Sequence, residues 1–410
     1  MQKKILIVIG IIILFLGLFI TPIVAIKNEE NSIHSVFNGN ILYVGGSGPG
    51  NYTKIQDAVN DASDYDTVFV FDDSSPYEEC IDINVRISLI GESKESTIII
   101  GDCIENLIKV DDWDVTVSGF TIKRNESKRY PYYGIYINRD RATISGNIIS
   151  NIETGISVMS NYNQIIDNEF VNCGIYILYS QYYNTISNNY VNGKPLIYLN
   201  KKFNEKITNA GQVILFSCVN ISIENIDISD VFYGIYLVDS RLCKILGNKI
   251  TDSKIFLRDS KRNEIMGNKI SLIKGRAMYT SVGITLQTSN ENIISGNNIV
   301  LNQGNGIFII SSDENILTNN NINMNINGIR LDESNLNTIT NNNFVGNVRN
   351  VFFLDCKGNK WNGNYWGRVR FLPKLITGSI TVEPPGYHSP GKYWPWFNFD
   401  FRPAKMPIKI

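Results

Sequence analysis

Two aspartates occupy matching places in consecutive sequence repeats. Asp239 and Asp259 each lie five residues beyond the start of a short apolar strand, and Arg258 directly precedes the second of them. If the repeats stack in register, the two carboxylates lie about one strand spacing apart, ~4.8 Å, and influence each other's charge. Such a pair could bind calcium or perform acid–base chemistry on a polysaccharide. Surface ion-pair ladders of repeat proteins look the same, and we favour that interpretation.

A second set of candidate residues is aromatic and sits at the middle position of the strand pattern G-I-x-L. Period-two alternation places the flanking aliphatic residues in the core and the middle residue outside. Seven of ten middle residues are aromatic, which predicts a stripe of exposed rings that could stack on sugars. Rings also pack on one another across strands for structural reasons alone. The predicted ligand-binding members are Tyr136, Tyr176, Tyr198, Tyr236 and Phe256.

Both the aspartate pair and the aromatic residues lie within an internal sequence repeat, whose fold therefore positions them. The pattern N-x-[apolar]-x-x-N occurs in eight full copies, mostly about twenty residues apart, for example "NQIIDN" at Asn163 and "NTITNN" at Asn337. A G-I-x-L strand usually precedes each copy. Leucine-rich repeats lack this pattern, and each blade of a β-propeller needs a repeat about twice as long as this one. The repeat therefore predicts an all-β chain folded as a right-handed parallel β-helix, with about three short strands in each coil.

The recurrent asparagines have a structural explanation. A tight turn between strands often needs a left-handed residue, which asparagine tolerates better than most. Stacked coils would place the asparagines above one another, so that each amide oxygen accepts a hydrogen bond from the amide of the neighbouring coil. We therefore expect Asn315 and Asn337 to be buried members of a hydrogen-bonded ladder.

The open ends of such a solenoid need caps. Residues 41–370 are predicted to form the β-helix, with a helix over residues 53–63, N-capped by Thr53, covering its first end. Residues 371–410 are rich in proline and aromatic residues, which predicts an irregular C-terminal cap. Six cysteines permit fifteen full pairings. Cys80 and Cys103 lie 23 residues apart, close to one coil length, so their sulfurs could meet.

The N-terminus predicts export. Residues 1–26 combine Lys3 and Lys4 with a long apolar run, which is typical of a cleaved signal peptide or of a retained membrane anchor. Residues 27–40 read as a linker. Either way the remaining chain is expected outside the cytoplasm, secreted or at the cell surface. A net charge of −1 argues against a nucleic-acid partner.

Several segments together resemble a known family. The opening "GGSGPGNYTKIQDAVNDASDYDTVFV", then "SPYEE", "ISLIGE" and "VSGFTI", and then the two repeat patterns, are similar to NosD-like β-helix proteins. The resemblance covers roughly residues 41–370 and implies the pectate-lyase-like β-helix fold. The family also implies accessory work in copper-site maturation, yet this chain has only two histidines, His34 and His388, in its remote termini. The paired-aspartate motifs of the sugar-processing relatives are missing.

Two functional hypotheses of different classes remain open at this stage. The first is an exported, non-catalytic scaffold that binds polysaccharide or a cell-surface glycan through the aromatic stripe. The second is a polysaccharide lyase or glycoside hydrolase, for which three or more convergent acidic residues would be expected. A copper-site accessory role is a third possibility. We predict no cofactor, with calcium at the aspartate pair as the exception to test.

Overall fold

The computed structural model describes residues 39–125, 132–178, 183–271, 281–382 and 392–410. The predicted export segment and most of the predicted linker lie outside these residues. In the part of the chain that is described, no helix is both long and apolar enough to cross a membrane.

Short parallel strands stack into a β-solenoid of about 15 turns that is almost free of helix. The predicted right-handed parallel β-helix is confirmed. Isoleucine, valine and leucine alternate with polar residues along each strand, and because successive side chains point to opposite sides, one set fills a continuous core. Ile235 and Leu237, for example, are fully buried.

The strands fall on three faces. What we call the asparagine face carries the strands that asparagine brackets in most coils from Gln164 onward: Ile41–Val44, Thr67–Val70, Ser88–Gly91, Thr116–Ser118, Thr143–Ser145, Gln164–Ile166, Thr185–Ser187, Lys206–Ile207, Ser222–Glu224, Lys244–Leu246, Glu264–Met266, Ile293–Ser295, Ile316–Thr318, Thr338–Thr340 and Lys360–Asn362. The third face carries Tyr77–Glu78, Ile98–Gly101, Thr121–Arg124, Ile148–Ser150, Glu169–Val171, Tyr190–Val191, Asp227–Ser229, Lys249–Thr251, Lys269–Ser271, Asn298–Val300, Asn321–Asn323 and Asn343–Val345.

What we call the aromatic face holds the G-I-x-L strands. These are Ile81–Ile83, Asn106–Val110, Tyr133–Ile137, Thr154–Val158, Ile175–Ile177, Lys194–Asn200, Gln212–Phe216, Tyr233–Val238, Lys254–Arg258, Ile284–Gln287, Asn305–Ile310, Asn327–Asp332 and Arg349–Leu354. Two further strands, Lys374–Val382 and Lys392–Asp400, form an antiparallel pair at the C-terminal end.

The stack of described strands is interrupted near residue 192. The chain reverses there, so that Tyr190–Val191 pairs antiparallel with Lys194–Asn200. The Gln212 side chain bridges the interruption on the aromatic face. Its Oε1 accepts from Ile175 N at 3.0 Å, while its Nε2 donates to Ile175 O and Tyr233 O. Because a side-chain amide offers the same donor and acceptor as a peptide, Gln212 continues the strand pairing where the backbone does not.

The predicted asparagine ladder is present and buried. Asn315 N and Nδ2 donate to Asn337 Oδ1 at 2.8 and 3.1 Å, and Asn337 N donates to Asn359 Oδ1 at 2.8 Å. A second ladder runs parallel to the first along the turns that follow the asparagine face. Its members in the C-terminal half are Asn248, Asn268, Asn297, Asn320, Asn342 and Asn364.

The left-handed residue of each turn is not the one we expected. The first-ladder asparagines do not have positive φ; the residue just before each of them does, such as Leu336 at 56° and Glu314 at 59°. In the second ladder the preceding place is often glycine, such as Gly296. The left-handed residue turns the chain and points to solvent, and this rotation aims the next amide into the buried turn. The prediction that the ladder asparagines adopt this conformation was therefore wrong.

The first end of the solenoid is covered by the predicted helix, which is shorter than expected and spans Ile55–Asp61. Ile55, Ala58 and Val59 form its buried stripe. Lys54 holds the N-cap position and makes no capping bond with its side chain. The Glu79 carboxylate instead accepts from Ile55 N at 2.8 Å and Gln56 N at 3.0 Å, which satisfies the first amides in place of Thr53. The neighbouring Cys80–Cys103 disulfide is formed, as the coil-length spacing predicted.

The C-terminal end is more regular than an irregular cap. The antiparallel pair of strands lies against the last coil through Asp400, which is fully buried. Asp400 Oδ2 accepts from Asn364 N at 3.0 Å, Asn364 Nδ2 at 3.2 Å and Trp366 Nε1 at 3.1 Å. A carboxylate therefore takes the place of the next asparagine oxygen and ends the second ladder.

Candidate functional site

The aromatic face brings the predicted rings together in the middle of the solenoid. Before the interruption near residue 192, strand register aligns Tyr136, Ser157 and Tyr176 in one column. After the interruption, it pairs Tyr236 with Phe256. Tyr176 and Tyr236 are stacked with ring centroids 6.0 Å apart, and Tyr236 and Phe256 at 5.3 Å. The expected alignment of rings along one face is thus present.

The stripe is not uniformly exposed, contrary to the expectation from alternation. Tyr236 has 0% and Phe256 has 8% of its surface accessible. Tyr233, which the G-I-x-L pattern does not include, lies 5.4 Å from Tyr236 and 5.6 Å from Phe256, centroid to centroid. Because neighbouring rings cover these two side chains, they form the floor of a cluster rather than its surface. Tyr136, Tyr176 and Tyr198 remain partly exposed.

The pattern also missed one strand of this face. Tyr198 is not followed by Tyr236 in the stack; Ile214 of the strand Gln212–Phe216 lies between them. Phe216 links the two rings instead, at 6.0 Å from Tyr198 and 6.1 Å from Tyr236. This strand reads "QVILF" and lacks the leading glycine, so a search for that glycine passes over it.

Buried phenols give the cluster a polar interior. The Tyr236 hydroxyl is inaccessible and has no hydrogen-bond partner. Burial, reinforced by the neighbouring phenol of Tyr176, raises the pKa of both Tyr233 and Tyr236, so both stay neutral. A neutral phenol can both donate and accept, and a buried hydroxyl without a partner is costly, about 1–3 kcal/mol. The Tyr236 hydroxyl therefore costs the cluster free energy and lies out of reach of a ligand.

A lysine that the sequence analysis did not select completes the cluster. Lys254 Nζ lies 3.7 Å from the ring centroid of Phe232 and 4.2 Å from that of Tyr233, a cation–π arrangement. Lys254 occupies the place where most of these strands begin with glycine. A lysine in place of that glycine is the feature of the sequence by which Lys254 could have been selected. The cluster thus combines aromatic surface, neutral hydroxyls and one cation.

The acidic candidates occupy a different place in each coil. Asp239 and Asp259 follow paired positions of consecutive strands, and both have left-handed backbones, with φ of 46° and 50°. The same turn column holds Ser217, Thr288, Ser311, Glu333 and Asp355, all with positive φ. Short polar residues that tolerate this conformation are expected here whatever the function. The column therefore has a structural explanation.

The contacts of these aspartates are those of exposed turn residues. Asp239 Oδ2 accepts from Ser217 Oγ at 2.9 Å, and Arg258 Nε lies 3.7 Å from Asp259 Oδ2. Within the described ranges, no three residues of His, Cys, Asp or Glu come together as a metal could require. The arrangement suits the ion-pair interpretation better than a catalytic centre, and a role in catalysis or calcium binding stays a hypothesis.

One small cavity lies at the interruption of the stack on the third face. Its volume is about 260 Å³, and its lining includes Asn192, Lys194, Asp227 and Lys249. Lys249 Nζ contacts Asp227 Oδ2 at 2.9 Å, and Lys194 Nζ donates to Asp227 O at 2.6 Å. Asn192 Nδ2 donates to Ser229 O at 2.8 Å. These side chains join the facing strand edges and hold the two stacks together.

Comparison with known proteins assigns the family. The model of the family described as "Periplasmic copper-binding protein (NosD)" matches residues 85–212 and 200–370, more than half of the chain. The chain belongs to the NosD family. The description of this family as periplasmic supports an extracytoplasmic location. No curated protein matches the chain.

Solved structures similar to this NosD-family chain are distant. The A-module of the mannuronan C-5 epimerase AlgE6 from Azotobacter vinelandii is 13% identical, with 75% of this chain and 94% of that chain covered and a TM-score of 0.32. The polysaccharide lyase Pedsa3628 from Pseudopedobacter saltans is 14% identical, with coverage of 72% and 84% and a TM-score of 0.30. A mutant of the periplasmic alginate epimerase AlgG is 15% identical, with coverage of 72% and 76% and a TM-score of 0.33. These similarities are too weak to transfer an activity.

The described cysteines do not fit the copper site that the family description implies. Copper binding by cysteine needs an accessible thiolate. Cys173, Cys218, Cys243 and Cys356 are all buried. Burial raises the pKa of Cys173 and Cys356 to about 12 and that of Cys243 to about 11. Cys218 and Cys356 stand at the two ends of a column of serines that hydrogen-bond from coil to coil. Both histidines lie outside the described residues.

Proposed function

We propose that this NosD-family protein binds polysaccharide on its aromatic face, outside the cytoplasm, and does not cleave it. The observation that carries the proposal is the ring cluster centred on Tyr236, which extends across strands of both stacks. Partly exposed rings of Tyr136 and Tyr176 offer flat apolar surface of the kind on which sugar rings stack. The buried floor holds these rings in place, so little conformational freedom is lost on binding.

The polar groups of the cluster match the same ligand class. Sugars present hydroxyls that donate and accept, and the phenol hydroxyls of the partly exposed Tyr136 and Tyr176 can do both. Lys254 is buried beside Tyr233 and supports the rings from within the cluster. We therefore propose a polysaccharide as the ligand.

The test is binding of the exported protein to an array of acidic and neutral glycans. Tyr136→Ala combined with Tyr176→Ala should weaken binding by about 5- to 150-fold, since each stacked ring contributes roughly 0.5–1.5 kcal/mol beyond burial. The matched control is Phe308→Ala, a partly exposed ring of the same face outside the cluster. Equal binding by the parent and the tyrosine double variant would refute the proposal.

A depolymerisation assay on the bound glycans distinguishes binding without cleavage from the enzymatic alternative. If the parent shortens a glycan and Asp239→Asn with Asp259→Asn abolishes that activity, the protein is a lyase or hydrolase and the aspartates are its acid–base pair. If no glycan is shortened and the tyrosine variants still lose binding, the binding proposal stands.

A further inference from the structure

The C-terminal strand pair, which we call the hairpin, exposes large apolar side chains. In an antiparallel pair, residues directly opposite each other point to the same side. One side carries Leu375 with Phe399, Thr377 with Phe397, and Thr381 with Tyr393. All six of these residues are exposed. The other side carries Ile376 and Asp400, both buried against the last coil, and farther along Trp394 and Trp396, both exposed. The hairpin is thus fixed to the solenoid at its base, and its outer part exposes side chains on both sides.

Apolar exposure continues around the hairpin. Phe401 stacks on Phe399 at 5.6 Å between centroids and is itself 70% accessible. Phe371 is 81% and Trp394 61% accessible. Soluble proteins rarely expose so many large apolar side chains in one region unless the surface binds something.

The same region is strongly basic. Residues 367–410 contain seven Lys or Arg and two acidic residues, a net charge of +5 in a chain whose total is −1. Asp400 is fully buried, so the described residues from 367 onward expose no Asp or Glu side chain. Burial, together with the charges of Arg370 and Arg368, lowers the pKa of Lys374. Among the described residues, the hairpin therefore combines aromatic and aliphatic side chains with an excess of positive charge, and the Asp355 carboxylate of the last coil, which accepts from Thr381 N and Oγ1, is an acidic group beside it.

We propose that the hairpin binds the surface of a lipid bilayer that contains anionic lipids. Trp and Tyr prefer the boundary between headgroups and acyl chains, Phe and Leu can enter the acyl region, and Lys and Arg are attracted to anionic headgroups. A second copy of the chain fits less well, because two hairpins would bring two positively charged surfaces together. The proposal is independent of the glycan-binding function, which uses another face, and of the fate of the N-terminal segment.

Tryptophan fluorescence tests the proposal in the full chain. Two of the five tryptophans, Trp394 and Trp396, lie in the hairpin. Vesicles of phosphatidylcholine with phosphatidylglycerol, brominated in the acyl chains, should quench this fluorescence, whereas brominated phosphatidylcholine alone should quench it much less. Trp394→Phe with Trp396→Phe should abolish the quenching. The comparison works whether or not the N-terminal segment is retained, because that segment contains no tryptophan.

A second variant tests the apolar side without touching the reporters. Phe397→Ser with Phe399→Ser should remove most of the quenching, while Phe203→Ser, an exposed aromatic of the solenoid, should leave it unchanged. Unfolding midpoints near that of the parent show that the variants are folded. Absence of quenching by anionic vesicles overturns the proposal. A concentration-dependent dimer that the Phe397 and Phe399 changes dissociate, without lipid quenching, assigns the surface to a second copy and also overturns it.

Discussion

Replacing Asn337 by leucine tests the ladder at a fully buried member. Asn337 Oδ1 accepts from both the backbone N and the side-chain Nδ2 of Asn315, and Asn337 Nδ2 donates to Ser312 O at 3.1 Å. Leucine removes all three bonds. Asn315 Nδ2 keeps a partner in Asp313 O at 3.1 Å, but the Asn315 backbone N–H is left buried without an acceptor.

The expected cost follows from these contacts. A buried donor without a partner costs about 1–3 kcal/mol, and the bond lost by Ser312 O adds about 1 kcal/mol. Asn337→Leu should therefore lower the free energy of unfolding by about 2–4 kcal/mol, measured by guanidinium denaturation. Asn315→Leu should behave similarly, because it removes the same kind of acceptor from Asn292 at 2.8 Å.

Hydrogen exchange gives a local readout of the same change. If the coil opens more easily by about 2–4 kcal/mol, the Asn315 amide should exchange roughly 30- to 700-fold faster. Asn341→Leu is the matched control. Asn341 is exposed and has a left-handed backbone with φ of 55°, so its replacement should cost only about 1 kcal/mol of backbone strain and leave the Asn315 amide protected. Unchanged stability and exchange for both ladder variants would show that the stacked amides contribute nothing.

Three further predictions concern the ends and charges of the solenoid. Cys80→Ser with Cys103→Ser should lower the free energy of unfolding by about 3 kcal/mol, the loop-closure value for 23 residues, and mass spectrometry of the parent should find both thiols oxidised. Asp400→Ala should expose the hairpin to limited proteolysis ahead of the coils, because Asn364 and Trp366 lose their shared acceptor; simultaneous cleavage throughout would contradict this. Lys109 and Asn138 lower the pKa of Asp111, so the stability that Asp111 contributes is present above about pH 4 and is lost on further acidification; Asp111→Asn should flatten the parent's loss of stability below about pH 4.

The sequence predicted those features that repeat. Alternation in strands such as "GIYL" at Gly234 identified the buried positions, and the bracket around Asn337 identified the ladder, because each is imposed on every coil by the same stacking geometry. The disulfide could be predicted for the same reason, since one coil length brings two cysteines side by side.

Features that depend on one particular coil could not be predicted in this way. Alternation tells which side of a strand Tyr236 is on, but its burial depends on Tyr233 and Tyr176, whose rings come from other positions and another stack. The interruption near residue 192 replaces strand pairing with the Gln212 side chain, and no repeat contains that contact. Glu79 as the helix cap and Asp400 as the ladder terminus are likewise single long-range contacts.

The structural roles of the buried carboxylates favour the binding proposal over the catalytic alternative. A general acid or base works best when it is partly desolvated and still free to exchange a proton with a substrate. The three buried carboxylates of the described residues are Asp66, Asp332 and Asp400. Asp66 accepts from Asn40 N and Ser63 N, Asp332 forms a close pair with Arg330, and Asp400 ends the ladder. Each is held in place by structural bonds, and Asp239 and Asp259 are exposed in turns. The partly exposed rings of the aromatic face offer surface on which a sugar can stack, and the binding proposal rests on them.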